Sequence, residues 1–202
     1  PTDLTGLQLW LDGDDIDGDG TAEGAGETYG GTWTDKSGNG LNATEATAAN
    51  QPTLTVGGIN GRTTLTFDGA TDDNDILTIA AGANGQPYDG TKPQTTFIVV
   101  EYSAPSATQV LINNDGNAGN GDGFFLRDNG GNQQVRAYDS GANLDTDTIS
   151  FGTKLFMVQQ AAVSGTPGVY EVRLDNTLIG EKIGSTRKTT SASNDVVIGR
   201  FP

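Results

Sequence analysis

Apolar and polar residues alternate along much of this chain with a period of two, in short runs separated by clusters of Gly, Asn and Asp. That period sends successive side chains to opposite faces of a strand. It predicts strands over Gly6–Asp12, Thr32–Asp35, Thr53–Val56, Thr63–Asp68, Asp75–Ala80, Thr95–Ser103, Ala107–Asn113, Gly123–Asp128, Gln133–Asp139, Lys154–Val163, Gly168–Leu174, Thr177–Lys182 and Asp195–Arg200. In Thr63–Asp68, Leu65 and Phe67 share one face, and Thr64 and Thr66 the other. Phe97–Val100 is a continuous apolar run, which predicts a central strand covered on both faces. Leu174-Asp175-Asn176-Thr177 reads as a hairpin turn with Asn176 in the left-handed conformation. Only Asn42–Ala49 has a helix-like composition, and Thr186–Ser193 reads as a polar loop. No internal repeat or linker breaks the series. Short strands at this spacing in 202 residues predict one all-β domain, residues 1–202, folded as a two-sheet antiparallel β-sandwich.

Composition narrows the partners. The 26 acidic residues against 11 basic ones give a net charge of −15, which argues against nucleic acid and anionic membranes and suits a cation-rich extracellular setting. Cysteine and histidine are both absent. Thiol chemistry, disulfides, the usual general base and the commonest transition-metal ligand are therefore excluded. No apolar run approaches the about 18 residues of a membrane span, so membrane insertion is not expected.

The stretch Leu7–Tyr29 concentrates the acids. Asp15, Asp17 and Asp19 fall at alternate positions and Gly20 follows, giving D-x-D-x-D-G, the front half of a calcium loop. Alternate residues of a tight loop converge on one centre, and a hard cation takes several oxygens at about 2.3–2.6 Å. Thr21 offers a backbone carbonyl and Glu23 a carboxylate, with Asp12 or Asp14 available from the other side. Position twelve, counted from Asp15, is Gly26 where an EF-hand has Glu, and no helical pattern flanks the loop. The expectation is an EF-like calcium loop inserted after the first strand. Its alternative is a solvated acidic loop, and crowded carboxylates that repel one another favour the cation. A polar loop at Asp115–Gly123 reads as a flexible connection rather than a metal site.

Aromatics bear on sugar binding, because a sugar stacks its C–H face and hydrogen-bonds its hydroxyls. Trp10 alternates with Leu9 and Leu11 and reads as core, and Trp33 as a structural anchor. Tyr88, on the Pro/Gly loop Gly85–Gly90, is a candidate stacking platform. Tyr138 beside Asp139, and Arg127 with Asp128, lie at strand ends where they could line a rim.

Several motifs in sequence order carry a resemblance. They are Gly6–Asp12 (GLQLWLD), Trp33–Gly40 (WTDKSGNG, where Asp35 caps the turn), Asn42-Ala43-Thr44, Gln51–Leu54 (QPTL), Gly58–Arg62, Leu65–Gly69 (LTFDG) and Ile198-Gly199-Arg200. Together they resemble the bacterial laminin-G-like jelly rolls of the concanavalin-A-like lectin/glucanase superfamily, over nearly the whole chain. The motifs are mostly turn and core residues, so they specify a fold better than a ligand. The resemblance implies two curved antiparallel sheets, often with calcium, in a secreted or surface protein that binds rather than catalyses. It places a second acidic cluster, with Asp72 and Asp75, on a loop near where such sandwiches hold calcium; the alternative is a solvated turn. The family continues past "IGR" with a closing strand, whereas this chain stops at Pro202. That predicts a longer parent polypeptide, strand exchange with another molecule, or an edge covered from within the chain.

Glycanases of that superfamily carry E-x-D-x-x-E on one strand, with the paired Glu as nucleophile and acid. None of the six Glu here forms that motif, and G-x-S-x-G is also missing. No enzyme is expected. The sequence predicts a non-catalytic, calcium-stabilised module binding a glycan or cell-surface polysaccharide, at a cell surface or outside the cell. The alternative from another class is a structural building block of an extracellular assembly, self-associating by strand or edge contacts.

Overall fold

A computed structural model describes residues 3–25, 27, 29–67, 75–80, 92–102, 109–114, 123–139, 142–150, 152–160, 166–185 and 195–199. In chain order the strands are β1 (Thr32–Trp33), β2 (Ala43–Thr44), β3 (Thr53–Thr55), β4 (Thr64–Thr66), β5 (Ile76–Ile79), β6 (Gln94–Tyr102), β7 (Gln109–Asn113), β8 (Gly123–Asn129), β9 (Asn132–Asp139), β10 (Ala142–Asp145), β11 (Gly152–Gln160), β12 (Gly168–Leu174), β13 (Thr177–Ser185) and β14 (Val196–Gly199). The protein is all-β, with antiparallel ladders and no α-helix among the described residues. None of its described helical turns is long or apolar enough to cross a membrane.

Two compact units divide the chain: residues 1–87 with 192–202, and residues 88–191. In the first, the strand order is β1-β2-β5-β14, and β3 pairs separately with β4. Its core gathers Ile16, Leu41, Ala43, Leu77, Ile79, Val196 and Val197, all buried. β14 returns from the far end of the sequence to pair with β5, Val196 opposite Ile79 and Gly199 opposite Ile76. At Gly199 only glycine fits. Its φ is +99°, and an added Cβ would lie 2.5 Å from both the Asp75 carbonyl oxygen and Phe67 Cδ1.

The second unit has the character of a β-sandwich. One sheet runs β7-β8-β9-β10 and the other β13-β12-β11-β6. Phe124 of β8 meets Tyr170 of β12 across the interior, ring centroids 6.5 Å apart. Phe156, Val158 and Val172 are buried from one sheet, and Leu126, Val135, Ala137 and Leu144 from the other. Gly180 of β13 lets the sheets approach closely, since an added Cβ would sit 3.2 Å from Thr146 Cγ2. The β12–β13 hairpin turns at Asp175 and Asn176, both left-handed at φ 47° and 69°, with Leu174 opposite Thr177 as the sequence predicts. That double positive φ is the two-residue turn whose twist matches the flanking strands.

Three expectations are corrected, and one strand was not expected. Gly6–Asp12 is not a strand; only Leu11 bridges, to Asp35. Its backbone is held by side chains instead. Trp10 N–H donates to Asp35 Oδ1 at 3.0 Å, and the Asn39 amide donates to the Leu7 and Gln8 carbonyls. Asn42–Ala49 is not helical: Ala43–Thr44 is β2, drawn into the sheet by pairing with β1 and β5, and only Ala48–Asn50 makes a 3₁₀ turn. The Phe97–Val100 run is not covered on both faces: Phe97 and Val99 are 65% and 61% exposed, and among the described residues β6 is the last strand of its sheet. Finally, β10 lies in a stretch with one large apolar side chain, Leu144, too little alternation to signal a strand.

Candidate metal centre

The acidic loop is pinned on both flanks before its carboxylates converge. Trp33 Nε1–H donates to the Asp12 carbonyl at 2.9 Å, so this ring is the anchor the sequence predicts. Thr34 N–H donates to the Ile16 carbonyl at 2.8 Å, and Thr63 Oγ1 to the Glu23 carbonyl at 3.1 Å. Asp14 accepts Thr63 N–H at 3.1 Å and Arg62 Nη1 at 2.6 Å. Asp35 receives four donors: the N–H groups of Trp10, Ser37 and Leu41 and the Ser37 hydroxyl. Burial alone would raise its pKa, but those donors outweigh burial and hold the carboxyl below its ordinary value.

Within this frame Asp15, Asp17 and Asp19 each bring a carboxylate oxygen within 4.8 Å of the others, so the three could hold a metal ion. Asp15 is the inner member, 5% exposed. Its Oδ2 accepts the Lys36 ammonium and, at 3.1 Å, Gly20 N–H; its Oδ1 is buried and accepts no hydrogen bond. Burial pushes the Asp15 carboxyl up, yet Lys36 and Gly20 together bring it below the ordinary value. Asp17 and Asp19 are exposed and turn the loop by accepting Asp19 N–H at 3.0 Å and Thr21 N–H at 2.7 Å. The donor set is all hard oxygen, as calcium or magnesium requires. A buried carboxylate oxygen with no partner fits a cation at the same place.

The other expected ligands are placed as follows. Asp12 lies beside the cluster, its Oδ2 3.2 Å from Lys36 Nζ. Thr21 binds Asp19 through its N–H and hydroxyl. Glu23 turns Oε1 onto the N–H groups of Ile16 and Asp17. Burial, with the Asp17 and Glu27 carboxylates nearby, raises Glu23 above its ordinary pKa despite those bonds. Asp75 is buried at the start of β5 and joins no described metal-ligating group. Asp72 lies outside the described residues.

Of the proposed ligand-binding residues, Tyr88 also lies outside the described residues. Tyr138 sits in β9 opposite Gly123 and Asn143, and its side chain is not among those described. Arg127 is engaged at 3.2 Å by Asp145, which also takes Arg136 at 2.6 Å. Asp128 caps the β8–β9 turn by accepting Gly131 N–H at 2.6 Å. A separate groove of about 360 Å³ at one end of the β6–β11–β12 sheet is lined by polar residues including Gln94, Thr95, Gln159, Gln160 and Glu171. There Gln160 Nε2 donates to Tyr170 Oη at 2.8 Å while Gln160 Oε1 is buried with no partner.

Sequence reasoning missed Lys36. Its ammonium bridges Asp12 and Asp15 and lies 4.7 Å from the centroid of the half-buried Trp10 ring. A signal was present, since Lys36 is the only Lys or Arg before Arg62. The chain matches no known protein-family profile and no curated protein sequence.

Proposed function

We propose that this chain is a non-catalytic, calcium-stabilised carbohydrate-binding or adhesion module of a secreted or cell-surface protein, built on a laminin-G-like jelly roll. The observation that carries the calcium reading is the Asp15–Asp17–Asp19 convergence around a buried, unbonded carboxylate oxygen. Calcium supplies charge neutralisation and rigidity there; the chain supplies Asp15 from within and Asp17 and Asp19 from the rim. Neutral amides in the groove beside Gln159 and Gln160 suit a hydroxyl-rich ligand. The non-catalytic reading rests on the absence of His, Cys and a paired-Glu motif.

Calcium titration by calorimetry and thermal melting tests this. A ligand that binds only the folded protein at 100-fold excess over its dissociation constant adds about 2.7 kcal/mol. Melting rises with calcium, falls with chelator, and loses the response in Asp17→Ala. An Asp17→Ala protein with the full response refutes the site. A glycan array with and without calcium tests the ligand, and sugar release from polysaccharides would refute the non-catalytic reading. A second reading, a building block of an extracellular assembly, is favoured by the exposed apolar side chains on β6.

A further inference from the structure

The outer face of the β6–β11–β12 sheet changes character along its strands. Residues opposite one another in an antiparallel pair share a face, so the register fixes the rows. Thr95, Gln159 and Glu171 form one row across the three strands, and Phe97, Met157 and Arg173 form the next. The first row lines the groove of about 360 Å³, together with Val169 and Gln160. The second row sets an aromatic side chain beside it. Phe97 is 65% exposed, and two residues of strand place it about 7 Å from Thr95. Gln160 is only 1% exposed; its Nε2 donates to Tyr170 Oη at 2.8 Å, and its Oε1 is buried and accepts nothing. Buried polar atoms are almost always bonded, so an acceptor without a donor in the wall of a groove points to a donor brought from outside.

We propose that this groove and Phe97 form a subsite for one uncharged pyranose of a polysaccharide. The ring lays its C–H face on Phe97 and turns its hydroxyls into the groove, where they donate to Gln160 Oε1 and Glu171 and accept from the Gln159 amide. The polar groups select that ligand. Gln159, Gln160 and Thr95 are neutral, and the Glu171 carboxylate is already held by Arg173 at 3.3 Å, so no free charge is left to attract an ammonium group. Glu171 stands opposite Glu181 of β13, and that pair of carboxylates repels an acidic sugar. What remains is a ligand rich in O–H donors, without charge, and with an apolar face for an aromatic ring. The proposal rests on the carbohydrate-binding reading above and names its ligand class and its place. It does not require calcium: the groove lies within the second unit, and Asp15, Asp17 and Asp19 belong to the first.

Affinity electrophoresis of the full-length protein, run in chelator through gels carrying soluble glucan, mannan, galactan or xylan, tests this. At least one of these neutral polymers retards the wild type, and polygalacturonate does not. Phe97→Ala weakens the binding about tenfold or more, Phe97→Trp restores it, and Gln159→Ala weakens it as well. Both positions are exposed, so neither variant depends on repacking a core. Gln160→Met, which removes the buried amide, also weakens binding, with thermal melting showing that the variant is folded. Leu178→Ala is the control: it removes an exposed apolar side chain from the same sheet, three strands and about 14 Å from Phe97, and leaves binding unchanged. Affinity that survives both Phe97→Ala and Gln159→Ala overturns the site, and preference for polygalacturonate overturns the ligand chemistry. Binding seen only with calcium moves the sugar to the aspartate loop, which overturns the subsite and leaves the carbohydrate-binding reading standing. No retardation by any polymer, with or without calcium, overturns both.

Discussion

The Lys36 ammonium is bound to the buried carboxylate of Asp15 while lying 4.7 Å from the centroid of the Trp10 ring. One lysine thus supplies the local positive charge at the place where three aspartates converge. Asp15 raises the Lys36 pKa above its ordinary value, opposed by burial and helped by Asp12.

Lys36→Met separates the two roles of that cation. Without calcium the variant loses about 2–4 kcal/mol, between the about 0–1 of a surface pair and the about 3–5 of a buried pair deprived of one partner. With calcium most of the loss is recovered, and calorimetry finds tighter calcium binding than in the wild type because no ammonium competes for Asp15. Equal affinity in both proteins would show that Lys36 stands aside when the ion binds. The Trp10 emission change on calcium addition, followed in a Trp33→Phe background, gives an independent reading of whether Lys36 moves.

Acid stability turns on Asp35 and Asp145. Burial raises Asp35, but its donors lower it more; Arg136 and then Arg127 lower Asp145 against burial. Both carboxyls are therefore depressed in the folded state. Their stabilisation is present above the ordinary carboxylate pKa and is lost as pH falls through the folded values, below about 4. Thermal melts hold steady from neutral pH to about 5 and then fall. Asp35→Asn lowers the neutral-pH stability by about 1–3 kcal/mol, because an amide cannot accept from all four donors, and its acid limb is shallower than that of the wild type.

At Gly199, alanine collides with Asp75 and Phe67 and also takes a left-handed backbone. Denaturant titration finds Gly199→Ala destabilised by about 3 kcal/mol or more, strain and steric overlap together. Gly130→Ala is the control. It shares a positive φ but has open space around it, so only the backbone term of about 1–2 kcal/mol applies.

The β12–β13 hairpin gives a prediction of opposite sign. Asn176 already tolerates φ 69°, and Asn176→Gly is neutral or stabilising by up to about 1 kcal/mol, whereas Asn176→Val destabilises. Chemical denaturation of the three proteins checks the order.

Elements whose stability is local or built on strict alternation were legible in the sequence. β12 matches its predicted bounds, and its turn follows from Asp-Asn chemistry. The convergence of Asp15, Asp17 and Asp19 follows from spacing alone. Elements decided by distant partners were not legible. Leu7–Trp10 has strand composition, but Asp35 and Asn39 take the backbone groups a ladder would use. Ala43–Thr44 has helical residues, but pairing with Thr32–Trp33 and Thr78 overrides propensity. An apolar run such as Phe97–Val100 carries no label saying whether its second face is covered in this chain or exposed.

The neck of the acidic loop has a consequence for how freely that loop can vary. Its stem is fastened by Thr34 N–H on the Ile16 carbonyl and by Asp35 on Trp10 N–H, between residues 18 and 25 positions apart in sequence. What is strung between those fasteners is a closed excursion, and doubling the length of such a loop costs only about 0.6 kcal/mol in closure entropy. The strands beyond the neck keep their register whatever the excursion contains. Foreign segments replacing residues 24–30 are therefore tolerated as grafts so long as Ile16, Glu23, Thr34 and Asp35 are kept.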